Sequence, residues 1–518
     1  MDNSQREVNT SLKLIAKTAT ILLVCLIAGK LLVYVYRVII ARYFGAETYG
    51  LYSLAIMITA WFSLIASLGF SEGLTRYLPL LRGKKETENV KYIFKFTTKI
   101  LIISSILLGI ILFLSSELIA VQIFHNVKLI IYLKFFSLAV PLIVLGTPFN
   151  AALRSYEKTT WHSLIAYIFH NVASVLLIII LLSLKLSTPA IIFSYLFGLF
   201  VTLISSYTIS RYLLPTLYQK NSLANKEKKL LSSEFIRYSL PLLFASFVGV
   251  FYSWIDSFSL GYLKTAVEVG LYNAAMPIAL LLGIAPELFM QLFFPLINKE
   301  YAKNNIYAIK EISKQVNKWI FVINIPAMVL IFIFPDVIIK LLFGSEYIAA
   351  STALRLLSLS SFLLSVFVPV SRKIIQMKGK SYVFLYDVIF AGVLNFTLNM
   401  LFIPLPKIWF IENSSGINGA ALATLISSAM MSVIYVAEAR HYISVIPFRR
   451  KIINVFIITL ILGGILFFIK QFFIIGLLNA IMLSLSFLLV YMAVLYLTGC
   501  LDKNDLSVIN SFKNKFLR

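Results

Sequence analysis

The stretch Gly50-Leu51-Tyr52-Ser53-Leu54-Ala55 returns as Gly270-Leu271-Tyr272-Asn273-Ala274-Ala275, 220 residues later. One hexapeptide alone decides little. A second pair supports it, because Ser116-Glu117-Leu118-Ile119-Ala120-Val121-Gln122-Ile123-Phe124 resembles Pro335-Asp336-Val337-Ile338-Ile339-Lys340-Leu341-Leu342-Phe343 at a displacement of 219. Tyr156-Glu157-Lys158 falls opposite Met377-Lys378-Gly379 at nearly the same shift. The chain therefore reads as two similar halves.

Each half is built for a membrane. The 518 residues are 60% hydrophobic and only 13% charged, against the roughly 45–50% and ~25% of soluble domains, and the mean hydropathy is +0.91. Dividing the chain at charges and turn residues by the ~20 apolar residues that cross a bilayer gives about fourteen spans. Their limits are near 18–41, 49–71, 92–114, 129–153, 161–184, 188–212, 236–262, 269–296, 317–335, 348–371, 381–404, 417–440, 452–470 and 472–498. The fold class expected is an all-α integral membrane protein of two six-helix lobes, 1–220 and 221–445, followed by a two-helix segment and tail, 446–518. Because six is even, the halves enter from the same face. Such parallel repeats typically carry a transport site near the midplane.

The net charge of +24 fits this picture better than a nucleic-acid partner. With the N-terminus inside, about 35 basic residues fall on inside segments and about eight outside, which places both termini in the cytoplasm of a cell membrane by the positive-inside rule. The basic stretch Lys220 to Lys229 reads as a connector lying on anionic headgroups. Cys25 and Cys500, the sole cysteines, offer neither a disulfide framework nor a zinc cluster. The first apolar run is too long and too interrupted for a signal peptide. Asn413-Ser414-Ser415 matches a glycosylation acceptor, a pattern short enough to arise by chance.

Lys30, Arg37 and Arg355 are the bases within spans, and an intramembrane ionisable group is costly enough to need a reason. Lys30 and Arg37 are seven residues apart, close to two turns, so they share one face as a basic stripe. A phosphorylated cargo suits a guanidinium fork and an ammonium; the alternative is that Lys30 snorkels or pairs with an acid. Arg42 and Arg76, at span ends, read as headgroup anchors. Asp256 falls opposite Arg37 at the repeat displacement, either as a partner that releases its base on protonation or as a structural pair. Glu287 follows Pro286, whose ring removes a backbone donor, and a carboxylate beside freed carbonyls suits Na⁺ or a proton. Asp387 heads a polar stripe with Asn395 and Asn399, the asparagines being default interhelical hydrogen bonders. Substrate-binding candidates are thus Lys30, Arg37, Asp256 and Arg355, and ion-coupling candidates Asp256, Glu287 and Asp387. His170-Asn171 reads as a proton relay or as a hydrogen-bonded interior pair. Gly69 and Gly73 have the spacing that lets helices approach closely. Trp61, Trp161, Trp319 and Trp409 read as interface anchors.

Several stretches together resemble a known family. They are Ala41-Arg42-Tyr43-Phe44-Gly45-Ala46-Glu47-Thr48-Tyr49-Gly50-Leu51-Tyr52, Leu68-Gly69-Phe70 with Arg76, and Val269 to Ala275. Leu342-Phe343-Gly344-Ser345-Glu346-Tyr347 and Gly416-Ile417-Asn418-Gly419-Ala420-Ala421-Leu422-Ala423-Thr424 continue the series. The chain resembles the polysaccharide-type lipid-linked oligosaccharide flippases of the multidrug/oligosaccharidyl-lipid/polysaccharide exporter superfamily. The resemblance implies two lobes around a central cavity that opens alternately to either face. The cargo it implies is a glycan on a polyprenyl phosphate or pyrophosphate, with membrane lipids and glycan-assembly enzymes as partners. A lipid II flippase and an ion-coupled multidrug exporter are the alternatives within the superfamily; a basic stripe disfavours cationic drugs.

No phosphate loop is present, since Gly379-Lys380-Ser381 has Ile374 where the first glycine belongs, and Asp-x-Asp and His-Glu-x-x-His are absent. The expectation is a transporter and not an enzyme, without a cofactor, drawing on Na⁺, H⁺ or the membrane potential.

Overall fold

The computed structural model describes residues 3–186, 188–443, 448–449, 451–473 and 476–500. Among them helices dominate, and the strand content is one hairpin that pairs Lys407 with Glu412 and Ile408 with Ile411. Thirteen helices are long and apolar enough to cross a membrane, so the protein is a multi-pass membrane protein. The first of these, Val24–Ser67, has 44 residues, twice what one crossing needs at ~1.5 Å per residue. It is bent at Gly45 (φ 80°, ψ 176°), a left-handed backbone that favours glycine. The sequence spans at 18–41 and 49–71 are the two arms of this one bent helix, which brings the crossings to the expected fourteen.

By compactness the chain divides at Asn273/Ala274, farther along than the boundary of the sequence repeat. The first unit contains α1 (Asn3–Ser67), α2 (Phe70–Gly83), α3 (Thr87–Glu117), α4 (Leu129–Phe136), α5 (Ala139–Ser155), α6 (Thr159–Ser163), α7 (His170–Ser183), α8 (Pro189–Leu213), α9 (Asn225–Leu263) and the start of α10 (Ala266–Leu280). Two of its spans carry a π turn, Leu118–Ile123 after α3 and Leu164–Phe169 before α7.

α2 is amphipathic, burying Phe70, Gly73, Leu74, Leu78 and Leu81, the spacing of one helical face. It lies against α9 at van der Waals distance: a Cβ on Gly69 would stand 2.3 Å from the Ser239 carbonyl oxygen, and one on Gly73 2.2 Å from Ser239 Oγ. The small-residue spacing read from the sequence is therefore a helix crossing.

The second unit contains α11 (Ile284–Ala302), α12 (Ile306–Ile333), α13 (Pro335–Leu342), α14 (Ser351–Met377), α15 (Ser381–Phe402), α16 (Ile417–Ile443), α17 (Lys451–Lys470) and α18 (Leu477–Leu497). α14 and α16 pack along a seam of hydroxyls and amides. Ser360 Oγ lies 2.7 Å from Ser428 Oγ, and Asn395 of α15 donates to Ser427 Oγ (3.0 Å) and Thr424 Oγ1 (3.3 Å). Asn395 of the polar stripe is thus an interhelical tie, and Asn399 donates to its Oδ1 from one turn along the same helix. α17 and α18 pack on α12: Tyr491 donates to the Val322 carbonyl at 3.0 Å, and Gly463 admits Val329.

Asn413 is fully buried. Its Nδ2 donates to the Phe402 and Leu405 carbonyls (2.8 and 2.7 Å), and its Oδ1 accepts from the Gly419 backbone N–H (2.7 Å). That amide holds the α15–α16 connection closed and has no free nitrogen for a glycan. Trp61 and Trp319 also have interior roles, packing on Phe251 (5.2 Å between ring centroids) and Phe289 (5.7 Å); Trp161 and Trp409 are exposed.

Candidate functional site

The duplicated hexapeptide is a packing device. A Cβ on Gly50 would stand 1.7 Å from the Ala266 carbonyl oxygen, and one on Gly270 2.1 Å from the Ala46 carbonyl oxygen. The second arm of α1 and the start of α10 therefore meet backbone to backbone, each through its own copy of the repeat glycine. Tyr49, next to Gly50, donates to the Asn273 carbonyl at 3.0 Å. Asn273 in turn donates through Nδ2 to Ser257 Oγ of α9 at 2.9 Å.

Each copy of the repeat tyrosine sits beside one of the intramembrane charges. Tyr272 donates to Asp256 Oδ2 at 2.7 Å, and both residues are buried. Arg37 is half-buried and lies within electrostatic reach of the hydroxyls of Tyr34, Tyr49, Tyr52 and Tyr195. Buried hydroxyls around a guanidinium supply the polar surroundings that a charge needs in a low-dielectric interior. The rings hold one another: Tyr52 meets Tyr36, Phe136 and Tyr195 at about 6 Å, while Phe136 and Tyr195 stack at 5.1 Å. Tyr36 itself is anchored on Ser194 Oγ at 2.8 Å.

Tyr195 has a second face. It lines a cavity of about 440 Å³ inside the first unit, in the size range of small-molecule sites. Thr147, Asn150 and Arg154 enter it from successive turns of α5, Ser71, Glu72 and Thr75 from α2, Thr202 from α8, and His162 and His170 from the segment around the π turn. His170 meets Tyr195 edge to face at 5.2 Å. Asn150 Oδ1 and His162 Nδ1 are buried in the cavity wall without a side-chain partner, while His170 packs against the Gly198 backbone. The lining is mixed in charge, with Arg154 set against Glu72.

None of the remaining sequence candidates lines this cavity. Lys30 is exposed, about two turns from Arg37. Arg355 donates through Nε to the Phe332 carbonyl (3.2 Å), and its Nη2 stands 3.7 Å from Asp336 Oδ2, both side chains being substantially exposed. Glu287 and the hydroxyl residues Ser361 and Ser365 line a cavity of about 280 Å³ in the second unit. The helix break there falls at Leu281–Gly283, ahead of Pro286. Asn324 of α12 bridges it, donating to the Leu282 carbonyl and to Ser365 Oγ, each at 2.9 Å. Asp387 is buried near the start of α15.

The tyrosine ring around Arg37 and the α5 face were not singled out in the sequence. Thr147, Asn150 and Arg154 carry a readable signal in their three- and four-residue spacing. Tyr52 carries the signal of the repeat and Tyr49 adjoins it, but Tyr34 and Tyr195 carry none, because in a chain with 27 tyrosines only the tertiary arrangement selects them.

The polysaccharide biosynthesis protein family matches residues 14–301, and the MatE family matches 241–401. A probable low-salt glycan biosynthesis flippase, Agl15 of Haloferax volcanii, is 28% identical over 291 residues, 56% of this chain and 57% of the relative. A putative O-antigen transporter of Shigella flexneri is 22% identical over 357 residues, covering 66% of this chain and 80% of that one. The chain thus spans little more than half the length of the Haloferax protein. Among solved structures, lipid II flippase MurJ in an inward closed conformation aligns with a TM-score of 0.70 at 16% identity, over 91% of this chain and 98% of that one. Its helices share that transporter fold, and with the family match extending over more than half of its residues, the chain belongs to the polysaccharide biosynthesis protein family.

Proposed function

We propose that the protein is a flippase that moves a lipid-linked oligosaccharide or polysaccharide repeat unit across the cytoplasmic membrane by alternating access, without covalent chemistry. Both termini face the cytoplasm in this reading, as the distribution of Lys and Arg supports. The relatives named as a glycan flippase and an O-antigen transporter support the cargo class.

The observation that carries the reading is Arg37 within its ring of tyrosines, joined through Tyr195 to a polar cavity. A phosphate or pyrophosphate is the cargo part a guanidinium holds best. Arg37 is the headgroup contact, with Lys30 as an outlying base that draws the anion in. The α5 face, with its threonine, asparagine and arginine, suits sugar hydroxyls. Asp256, Glu287 and Asp387 are the ion-coupling groups, through Na⁺ or H⁺. Arg355, paired with Asp336, is in this reading a tie at the start of α13. Net direction follows from an ion gradient, the membrane potential or removal of product, since a ligand shifts an equilibrium only by its differential affinity.

The test is translocation of a labelled polyprenyl-pyrophosphate oligosaccharide in proteoliposomes. Wild-type protein flips it and Arg37→Ala does not. Equal rates in both, or efflux of a cationic drug with no glycan movement, would sink the assignment.

A further inference from the structure

α15 and α16 run antiparallel, so the start of one lies beside the end of the other. Asp387, in the second turn of α15, and Tyr435 and Glu438, near the end of α16, face one another closely enough to interact directly. Asp387 is 7% exposed and Tyr435 1%, while Glu438 is half-buried. Asp387 Oδ2, Glu438 Oε2 and the Tyr435 hydroxyl are each shut off from solvent, and none has a hydrogen-bond partner outside the cluster. From α14, Arg372 lies in reach of Tyr435, its guanidinium 3.6 Å above the Phe384 ring and its Nε also unpartnered. Lys373, the next residue, is directed elsewhere, to Gln376 Oε1 at 3.0 Å and the Phe294 ring.

The charge of the pair is decisive. Two ionised carboxylates this close would repel one another, each with an oxygen shut off from solvent and unsatisfied. One proton cures both faults, since it turns one acid into a donor for the other and removes the repulsion. A metal cation would need several more oxygens.

We propose that Asp387 and Glu438 form a site that binds a single exchangeable proton between their carboxyl groups, with Tyr435 as its polar wall. The inference deepens the ion-coupling part of the function proposed above and rests on it for its purpose, though not for its detection. It adds Glu438 and Tyr435 to Asp387, and it selects H⁺ over Na⁺ at this position.

The test is infrared difference spectroscopy on the full chain reconstituted in lipid at neutral pH, exchanged between H₂O and D₂O. A protonated-carboxyl C=O stretch that shifts in D₂O is expected from the wild type, and its loss from both Asp387→Asn and Glu438→Gln. Tyr435→Phe shifts the band without removing it. Added Na⁺ at constant ionic strength leaves it in place. A wild type without the band, a band surviving in both carboxyl variants, or one erased by Na⁺ would overturn the proposal. Elution as a monodisperse peak shows that each variant is folded. Because no transport is measured, a band present in a protein that flips nothing breaks the flippase reading alone, while an absent band in an active flippase breaks only this one.

Discussion

Two regions of the first unit carry the Gly-Leu-Tyr of the repeat and opposite charges. Around Gly50, Tyr49 and Tyr52 turn toward Arg37, a half-buried base whose neighbours are hydroxyls beside a cavity. Around Gly270, Tyr272 donates to Asp256, a buried acid already engaged at 2.7 Å. The glycines do the same work in both copies, since each permits one backbone to touch the other. What has diverged is the charge that the tyrosine attends. Repetition here preserves the packing and frees the polar groups to take different tasks, which in the function proposed above are cargo recognition at Arg37 and ion coupling at Asp256.

The strongest way to break the comparison is at the glycines. Gly50→Ala would force a methyl to within 1.7 Å of a carbonyl oxygen, overpacking that costs about 3 kcal/mol. We expect a large fall in the thermal midpoint in detergent, and Gly270→Ala to follow it closely. A midpoint unchanged in both would show that the backbone contact is dispensable. Next in size is Arg37→Ala, which removes a charge-assisted contact to phosphate of about 1.5–3 kcal/mol, so cargo affinity falls roughly 10–100-fold. Arg37→Lys restores part of it, because an ammonium lacks the bidentate fork. Affinity equal to wild type in the alanine variant would mean that the base serves structure, as its counterpart's hydrogen bond does.

Asp256→Asn separates the two copies further. The amide still accepts from Tyr272 while losing the charge, so the midpoint drops by the equivalent of about 1 kcal/mol. Cargo affinity stays the same and dependence of transport on the ion gradient disappears. A larger loss of affinity than at Arg37 would reverse the roles given to the pair. Tyr49→Phe deletes the 3.0 Å bond to the Asn273 carbonyl and lowers stability by about 1 kcal/mol. The smallest effect belongs to Arg355→Gln. Its partly exposed pair with Asp336 at 3.7 Å contributes under about 1 kcal/mol, and transport is unchanged.

The fold was legible because its signal is spread over whole spans. Apolar length gave the helices, and the small-residue spacing of Gly69 and Gly73 marked a close approach, whereas the duplicated hexapeptide marked a repeat and carried no sign that its two glycines touch. The limits of spans were less legible where charges enter a helix end. Arg372 follows the predicted end of its span at 371, whereas α14 runs to Met377, so a residue read as lying outside the span belongs to a buried cluster. Glu438 lies within the predicted span 417–440 and carried the same signal as Asp387, an acid among apolar residues. What sequence spacing lacked was the antiparallel pairing that brings them together. His170 illustrates a different loss: the π turn at Leu164–Phe169 displaces the helical register, and a wheel drawn at 3.6 residues per turn aims it wrongly.

The meeting of Gly50 and Gly270 has a mechanical consequence. A joint formed by bare main chain has no rotamer to adjust and no flexible side chain to cushion it, so it is either engaged or apart. Within the first unit, the second arm of α1 and the opening turns of α10 must then travel as one rigid body, and spin labels placed on the two should hold a fixed separation through every stage of the transport cycle.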